Sequence, residues 1–335
     1  MYLAVDAFGG DNAPHDIVKG VVDAINEKEG FNIYLVGDEA KLKPILSEYK
    51  YDESRIEIVH ATDVITMEDH PATAMRSKPD SSLARAFDLV AEKKADAIIS
   101  AGSTGAILSG AIFKVKRIKG VMRPALAPFI PCLYDGEKSQ TLMLDVGANA
   151  DCKAEYLVQF ANMASSYLSA VYGKENPSVG LINIGSEESK GSELIKEVHA
   201  KLKEQPINFV GNVESREIPT TDVDILVTDG FTGNIIIKYM EGLASALLNE
   251  VKSAMMGSFI SKIGALLTKP QLKNMKKKFD SEEIGAAILL GVNGGVFKCH
   301  GNSGPKAIKN GIFQAYRFVD GGVIEAIKSN LKEVE

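Results

Sequence analysis

Carboxylates, carboxamides and hydroxyls recur inside glycine-bearing turns of this chain. Five such turns follow apolar runs that read as strands: Asp6-Ala-Phe-Gly-Gly-Asp11, Ala101-Gly-Ser-Thr-Gly105, Asp145-Val-Gly-Ala-Asn149, Gly185-Ser-Glu-Glu-Ser-Lys-Gly191 and Asp229-Gly-Phe-Thr-Gly-Asn234. Glycine lets backbone N–H groups approach an anion closely, and a helix starting at the turn adds partial positive charge. Five of them on one rim of a sheet predict an anion-binding surface.

The last of these turns has an internal copy. Asp96-Ala-Ile-Ile-Ser-Ala-Gly-Ser-Thr-Gly-Ala-Ile107 and Asp224-Ile-Leu-Val-Thr-Asp-Gly-Phe-Thr-Gly-Asn-Ile235 share Asp, Gly, Thr, Gly and Ile at the same offsets. The shared residues read as strand–turn–helix architecture. Where the first copy has Ala101 and Ala106, the second has Asp229 and Asn234. Those two replacements are candidate chemistry: a carboxylate to move a proton and a carboxamide to meet developing charge.

Other groups compete for roles. Ala101 to Gly105 nearly matches the nucleophile elbow, which would make Ser103 an acyl acceptor with His300 as its partner. Ser103 also reads simply as a turn residue or donor. Lys190 stands before a glycine in a loop that only partly matches a phosphate-binding P-loop, and is a candidate mobile charge. His15, near a helix start, is a candidate cap or anion contact, and Arg76 and Lys78 form a small cationic point. Asp6, Asp11, Asp145, Asp151 and Asp229 fall at strand ends, where carboxylates hold metals, cap helices or orient donors; for Asp11 and Asp151 capping or orienting is the favoured reading.

Composition excludes several classes. With 335 residues and 45% apolar, the chain can bury a large core. A net charge of -6 argues against a nucleic-acid binder, which would show a basic face. Three cysteines, without a C-x-x-C or His/Cys cluster, predict neither a disulfide framework nor structural zinc. No strand-borne G-x-G-x-x-G fingerprint supports a dinucleotide site. No signal-like segment or long apolar run is present, so a reduced, cytoplasmic location is expected.

Short apolar strands alternate with amphipathic helices: Leu3–Val5, 16–27, Ile33–Val36, 39–48, Ile56–Val59, 82–93 with Ser81 or Ser82 as N-cap, Ala97–Ser100 and 104–113. Strands over Leu126–Pro131 and Thr141–Val146, a helix over 153–172, and further alternation to Val223–Val227 continue the pattern. This predicts an α/β fold with a doubly wound, mainly parallel sheet in three layers, as one domain over residues 1–335. Ligands then bind beyond the C-terminal strand ends. Residues 242–279 carry helical spacing only, interrupted at Pro270, and read as a protruding helical pair. Its apolar residues, with Phe259 and Ile263, and its basic Lys273, Lys276, Lys277 and Lys278 suit a dimer interface, an anionic membrane surface, or both. Strands over 284–290 and 294–298 and a last helix over 306–328 follow.

Read together, Asp6-Ala-Phe-Gly-Gly-Asp11, Ser100-Ala-Gly-Ser-Thr-Gly105, Leu144-Asp-Val-Gly-Ala-Asn149, Gly211-Asn-Val-Glu214 and Thr228-Asp-Gly-Phe-Thr-Gly-Asn234 resemble the bacterial acyl-ACP:phosphate acyltransferase family (PlsX). The likeness runs in order along essentially the whole chain. It implies a fold similar to phosphotransacetylases and isocitrate dehydrogenase-like proteins. It also implies transfer of a long-chain acyl group from acyl carrier protein to inorganic phosphate, with no metal or organic cofactor. Homodimers, peripheral membrane association, and delivery of the acyl phosphate to a membrane glycerol-3-phosphate acyltransferase are further implications. Phe8 stands where the family usually has Met. Ser103 replaces a usual Asn, which weakens a serine nucleophile. On this reading phosphate lies among Asp6, Gly9, Gly10, His15, Gly102, Ser103, Thr104, Gly105, Asn149, Gly230, Thr232, Gly233 and His300. Asp229, Asn234 and Lys190 carry the chemistry, and the lysines from 273 to 278 meet the acidic carrier protein. A serine hydrolase or acyltransferase, an isocitrate-like dehydrogenase, and a non-catalytic acyl-chain carrier are the alternatives.

Overall fold

Strand β1 (Tyr2–Asp6) sends Leu3 and Val5 to one face and Ala4 to the other, and all three are buried. Burial on both faces is what a parallel strand between two helical layers requires. The computed structural model of the chain describes residues 1–66, 68–134, 137–278, 282 and 285–333. Among these, β1 is joined by β2 (Asn32–Gly37), β3 (Ile56–His60), β4 (Ala97–Ser100), β5 (Ala125–Ala127), β11 (Ala286–Leu290) and β12 (Gly295–Cys299) in the order β3-β2-β1-β4-β12-β11-β5. A second sheet takes β6 (Phe129–Tyr134), β7 (Glu137–Leu144), β8 (Ser178–Asn183), β9 (Asn208–Glu214) and β10 (Ile225–Val227) in the order β6-β7-β10-β8-β9. Pairing is parallel throughout, except that β11 opposes both neighbours and β6 opposes β7.

The expected doubly wound, mainly parallel α/β architecture is therefore present, divided into two sheets. The single strand expected over Leu126–Pro131 divides at Pro128, one part entering each sheet. Proline has no N–H for a ladder, while Pro128 still accepts from the Met143 amide at 3.0 Å.

The described α-helices are α1 (His15–Glu27), α2 (Glu39–Leu46), α3 (Pro71–Ser77), α4 (Ser82–Ala91), α5 (Thr104–Gly110), α6 (Ala154–Tyr172), α7 (Glu193–Lys203), α8 (Gly230–Met256), α9 (Phe259–Leu267), α10 (Lys269–Lys278), α11 (Pro305–Asp320) and α12 (Val323–Glu333). Ser81 caps α4, accepting from the Ala84 amide. One apolar layer joins Leu3, Val5 and Ile99 of the first sheet to Leu142, Leu144 and Val227 of the second. The opposite layer joins Ala4 and Ile98 to Met143 and Leu226. Both layers run across both sheets.

The last helix, expected to be continuous, is broken at Gly321-Gly322. Gly322 adopts a φ of +63°, open to glycine and strained for most other residues. The expected helical pair is instead three helices. The α8 helix runs unbroken from the Asp229 turn to Met256, and the next break falls at Thr268. Pro270 sits in the first turn of α10, where its missing N–H costs nothing. Large apolar side chains stay exposed along α8 and α9: Leu243, Leu247, Phe259 (79%), Ile263 and Leu266. Lys273 lies on α10; the side chains of Lys276, Lys277 and Lys278 fall outside the described residues. No helix among the described residues is long and apolar enough to cross a membrane.

The repeated aspartates have an architectural use. Asp96 accepts from the Tyr2 amide at 2.9 Å and Asp224 from the Ser178 amide at 3.0 Å. In each copy the aspartate satisfies an amide at the start of a neighbouring strand, since β1 pairs β4 and β8 pairs β10.

Cys132, Cys152 and Cys299 are free thiols. Burial pushes Cys299 up to about 12 and Cys152 up to about 11, leaving about one thiolate in a thousand or fewer at pH 8. In a thiol-disulfide colour assay at pH 8, the native protein is expected to show no rapidly reacting thiol, and the denatured protein three. Fast modification of Cys299 in the native state would contradict this packing.

Candidate active site

Three turns meet at the C-terminal edge of β1, β4 and β12. Asp6 is buried there and accepts from Ser100 Oγ at 2.7 Å and from the Phe8 amide at 3.3 Å. Ser100 Oγ accepts in turn from the Gly102 amide at 3.0 Å. Burial pushes the Asp6 carboxyl up, against the pull of hydrogen bonds from Ser82, Ser100, Phe8 and Gly9. A Cβ on Gly9 would lie 2.4 Å from Asp6 Oδ2. Gly10, at φ +103°, packs on Ala101, and the Asp11 amide donates to Gly301 O at 2.8 Å. The Asp6 turn, the Ala101–Gly105 turn and the turn after His300 are thus one connected unit.

A second unit forms where β7 and β10 end. Asp145 is fully buried and accepts from the amides of Leu126 (2.9 Å), Ala148 (3.1 Å) and Asn149 (2.6 Å), and from Asn149 Nδ2 (2.9 Å). Burial pushes its carboxyl up and the same four donors oppose that. Gly230 and Gly233 pack directly on it: a Cβ on Gly233 would lie 2.0 Å from Asp145 O. Only glycine permits so close an approach of α8 to this turn.

Asp229 is the N-cap of α8. One carboxylate oxygen accepts from the Thr232 amide and the other from Thr232 Oγ1, both at 2.8 Å. In the first copy, with Ala101 at that place, the helix starts only at Thr104 behind an uncapping Ser103. The polar replacement therefore also starts the second helix earlier in the motif. Asn234 lies one turn further along, with its Oδ1 3.6 Å from where a Gly147 Cβ would be.

The two units face each other across a cleft of about 180 Å³ that Thr104, Val146, Asn234, Lys238, Lys298 and His300 help to line. The structure brings Thr104 and His300 of the first unit to the same cavity as Asn234 of the second. Lys190 lies elsewhere, in the turn after β8 with its Nζ 3.9 Å from Glu187, and does not line the cleft. His15 is exposed in the first turn of α1, whose N-cap is Pro14. Among the described residues Asp11 and Asp151 cap neither α1 nor α6, whose N-caps are Pro14 and Lys153, without side-chain bonds. Arg76 stands over the Phe113 ring and Lys78 pairs with Asp69 at 2.6 Å. Among the described residues no hydrogen bond joins Ser103 to His300, and no cluster of metal-ligating side chains occurs.

Two further lysines, Lys238 and Lys298, line the cleft. Lys238 pairs with Glu241 at 3.0 Å on α8. Lys298 is the one charged residue of the otherwise apolar β12 run Gly295-Val-Phe-Lys298-Cys299, opposite Ser100 in the ladder. Burial pushes its ammonium below the ordinary lysine range; nearby Cys299 and Asp11 oppose this and Lys238 adds to it. A charged residue in an otherwise apolar strand was the signal available in the sequence.

The fold resembles that of a phosphotransacetylase from Streptococcus pyogenes, with a TM-score of 0.62, 15% identity, and coverage of 98% of this chain and 94% of that one. At that identity the likeness is one of fold, and it places the chain in the α/β class its own two sheets define. The family model described as "Fatty acid synthesis protein" matches residues 1–326. The chain is 49% identical over 335 residues to the phosphate acyltransferase of Clostridium tetani, covering 100% of this chain and 99% of that protein. It is 48% identical over 333 residues to that of Clostridium novyi, covering 99% of each. The chain belongs to this phosphate acyltransferase family.

Asp145→Ala is expected to lower the thermal midpoint by several degrees, because at least one buried N–H loses its acceptor at about 1–3 kcal/mol. A midpoint unchanged in differential scanning calorimetry would show that the turn is held by other means.

Proposed function

We propose that this protein is an acyltransferase that moves a long-chain acyl group from acyl carrier protein to inorganic phosphate. Membership of the phosphate acyltransferase family supports the reaction class. The observation that carries the site is the meeting of Thr104, His300 and Asn234, from separate glycine-rich turns, in one cleft. The reaction forms a bond between a phosphate oxygen and the acyl carbon and breaks the C–S bond. The proton of hydrogen phosphate ends on the departing thiolate.

Phosphate is already anionic near neutral pH, so positioning and charge stabilisation outweigh general-base help. In this reading Asn234 and the amides near Gly233 face the oxyanion. Thr104 and His300 stand on the opposite wall. Asp229 relays the proton, held in place by Thr232. The acyl phosphate then passes to a membrane glycerol-3-phosphate acyltransferase for phospholipid synthesis. The protein works as a cytoplasmic homodimer at the inner membrane face, through the exposed apolar residues of α8 and α9. The basic end of that segment, including Lys273, receives the acidic carrier protein.

Asp229→Asn separates proton transfer from capping, because asparagine caps a helix as well as aspartate. It is expected to fold normally and to form acyl phosphate from labelled phosphate about 100-fold more slowly or worse. Near-normal turnover would reduce Asp229 to a cap. Replacing Phe259 and Ile263 by aspartate is expected to cut sedimentation with anionic vesicles while the dimer persists. Unchanged vesicle binding would confine the helices to subunit contact.

A further inference from the structure

Lys298 is the one cation in the cleft without a carboxylate partner among the described residues. Lys238, which also lines the cleft, is tied to Glu241 at 3.0 Å. Lys298 donates to the carbonyl of its neighbour Cys299, which leaves two of its three N–H bonds unspent. The side chain is half-buried near the end of β12, beside the Ser100 position that anchors Asp6. It also borders a narrow apolar crevice, of about 10 Å³, that continues behind the cleft between Ile107, Leu108, Leu289 and Val296. A desolvated ammonium at such a junction is costly unless an anion arrives to pair with it. Its surroundings already deplete its charge preference, which burial lowers and an incoming anion would restore.

We propose that Lys298 is a further catalytic residue, whose ammonium binds the phosphate nucleophile at the floor of the cleft opposite Asn234. This rests on the acyl-transfer reading for the identity of the anion, and on the geometry alone for its being an anion site. Phosphate held there keeps its attacking oxygen toward the space between Thr104 and Asn234, where the thioester carbonyl enters. The crevice behind is apolar and admits no second charged group. As the P–O–C bond forms and the C–S bond breaks, the ammonium stays in place and keeps its proton, while the hydrogen-phosphate proton passes to the departing thiolate. A fixed cation in a partly dry site supplies this stabilisation without reorganisation.

The test uses the full chain and inorganic phosphate in two measurements. Isothermal titration reads phosphate binding without turnover; initial rates with acyl-acyl carrier protein read the KM for each substrate. Lys298→Met is expected to weaken phosphate binding and raise its KM about ten- to a hundredfold, the loss of one charge-assisted contact, with the KM for acyl carrier protein little changed. Lys298→Arg, which keeps the charge, is expected to recover part of the binding. Lys298→Gln replaces the Met variant should circular dichroism show that one unfolded. Phosphate binding and KM unchanged in the neutral variants overturn the proposal, as does a wild-type protein that binds no phosphate. If wild type binds phosphate through Lys298 but makes no acyl phosphate, the anion site stands and the acyl-transfer reading falls.

Discussion

The site depends on one buried carboxylate. Asp145 follows directly on β7 of the second sheet, yet it takes the amide of Leu126, which belongs to β5 in the first. The same turn returns Val146 N–H to Leu126 O at 3.1 Å and Asn149 Nδ2 to Pro124 O at 2.8 Å. These bonds fasten the rim of one sheet to the edge of the other and so help set the spacing of the cleft. Gly230 and Gly233 then bring α8 onto the carboxylate within distances that no side chain allows. Such a network is costly when half satisfied and rigid when complete. Here four donors serve one carboxylate, and the helix carrying Asn234 packs its first turn against it.

Charge completes what the turns begin. The protein as a whole is acidic, but two lysines line the cleft, one of them paired and one not. An anion entering between the sheets therefore meets local positive charge in a partly desolvated space, where a single ammonium acts more strongly than on the surface. The backbone turns supply shape, and the lysine supplies the sign. The exposed apolar side chains of α8, such as Leu243 and Leu247, lie on the same helix that starts at Asp229, so the segment and the site share one element.

Much of this was legible in the residues. Two-sided apolar runs such as Ala97–Ser100 gave buried parallel strands, and Ser81 gave a helix cap, because both signals are local. The internal copy singled out Asp229 and Asn234 by subtraction. What it could not show is that the two copies end in different sheets and that their turns face each other; that follows from tertiary pairing. The hand-over at Pro128 and the break at Gly321-Gly322 were hidden for the same reason, since each depends on what packs beside it. Lys298 was hidden because a lysine near a strand end reads as a solvated tip until β11 and α8 are placed around it. Lys190 shows the reverse: its loop had the composition of a phosphate turn, but the strand order puts it outside the cleft.

The anion is expected to bind between the two sheets. Arsenate has the shape and charge of phosphate, and its anomalous scattering locates it in a crystal. Diffraction from crystals of the protein soaked in arsenate is predicted to place the arsenic in the cleft, against Lys298 and within reach of Thr104 and Asn234. An arsenic peak in the turn beside Lys190, with the cleft empty, would contradict the account.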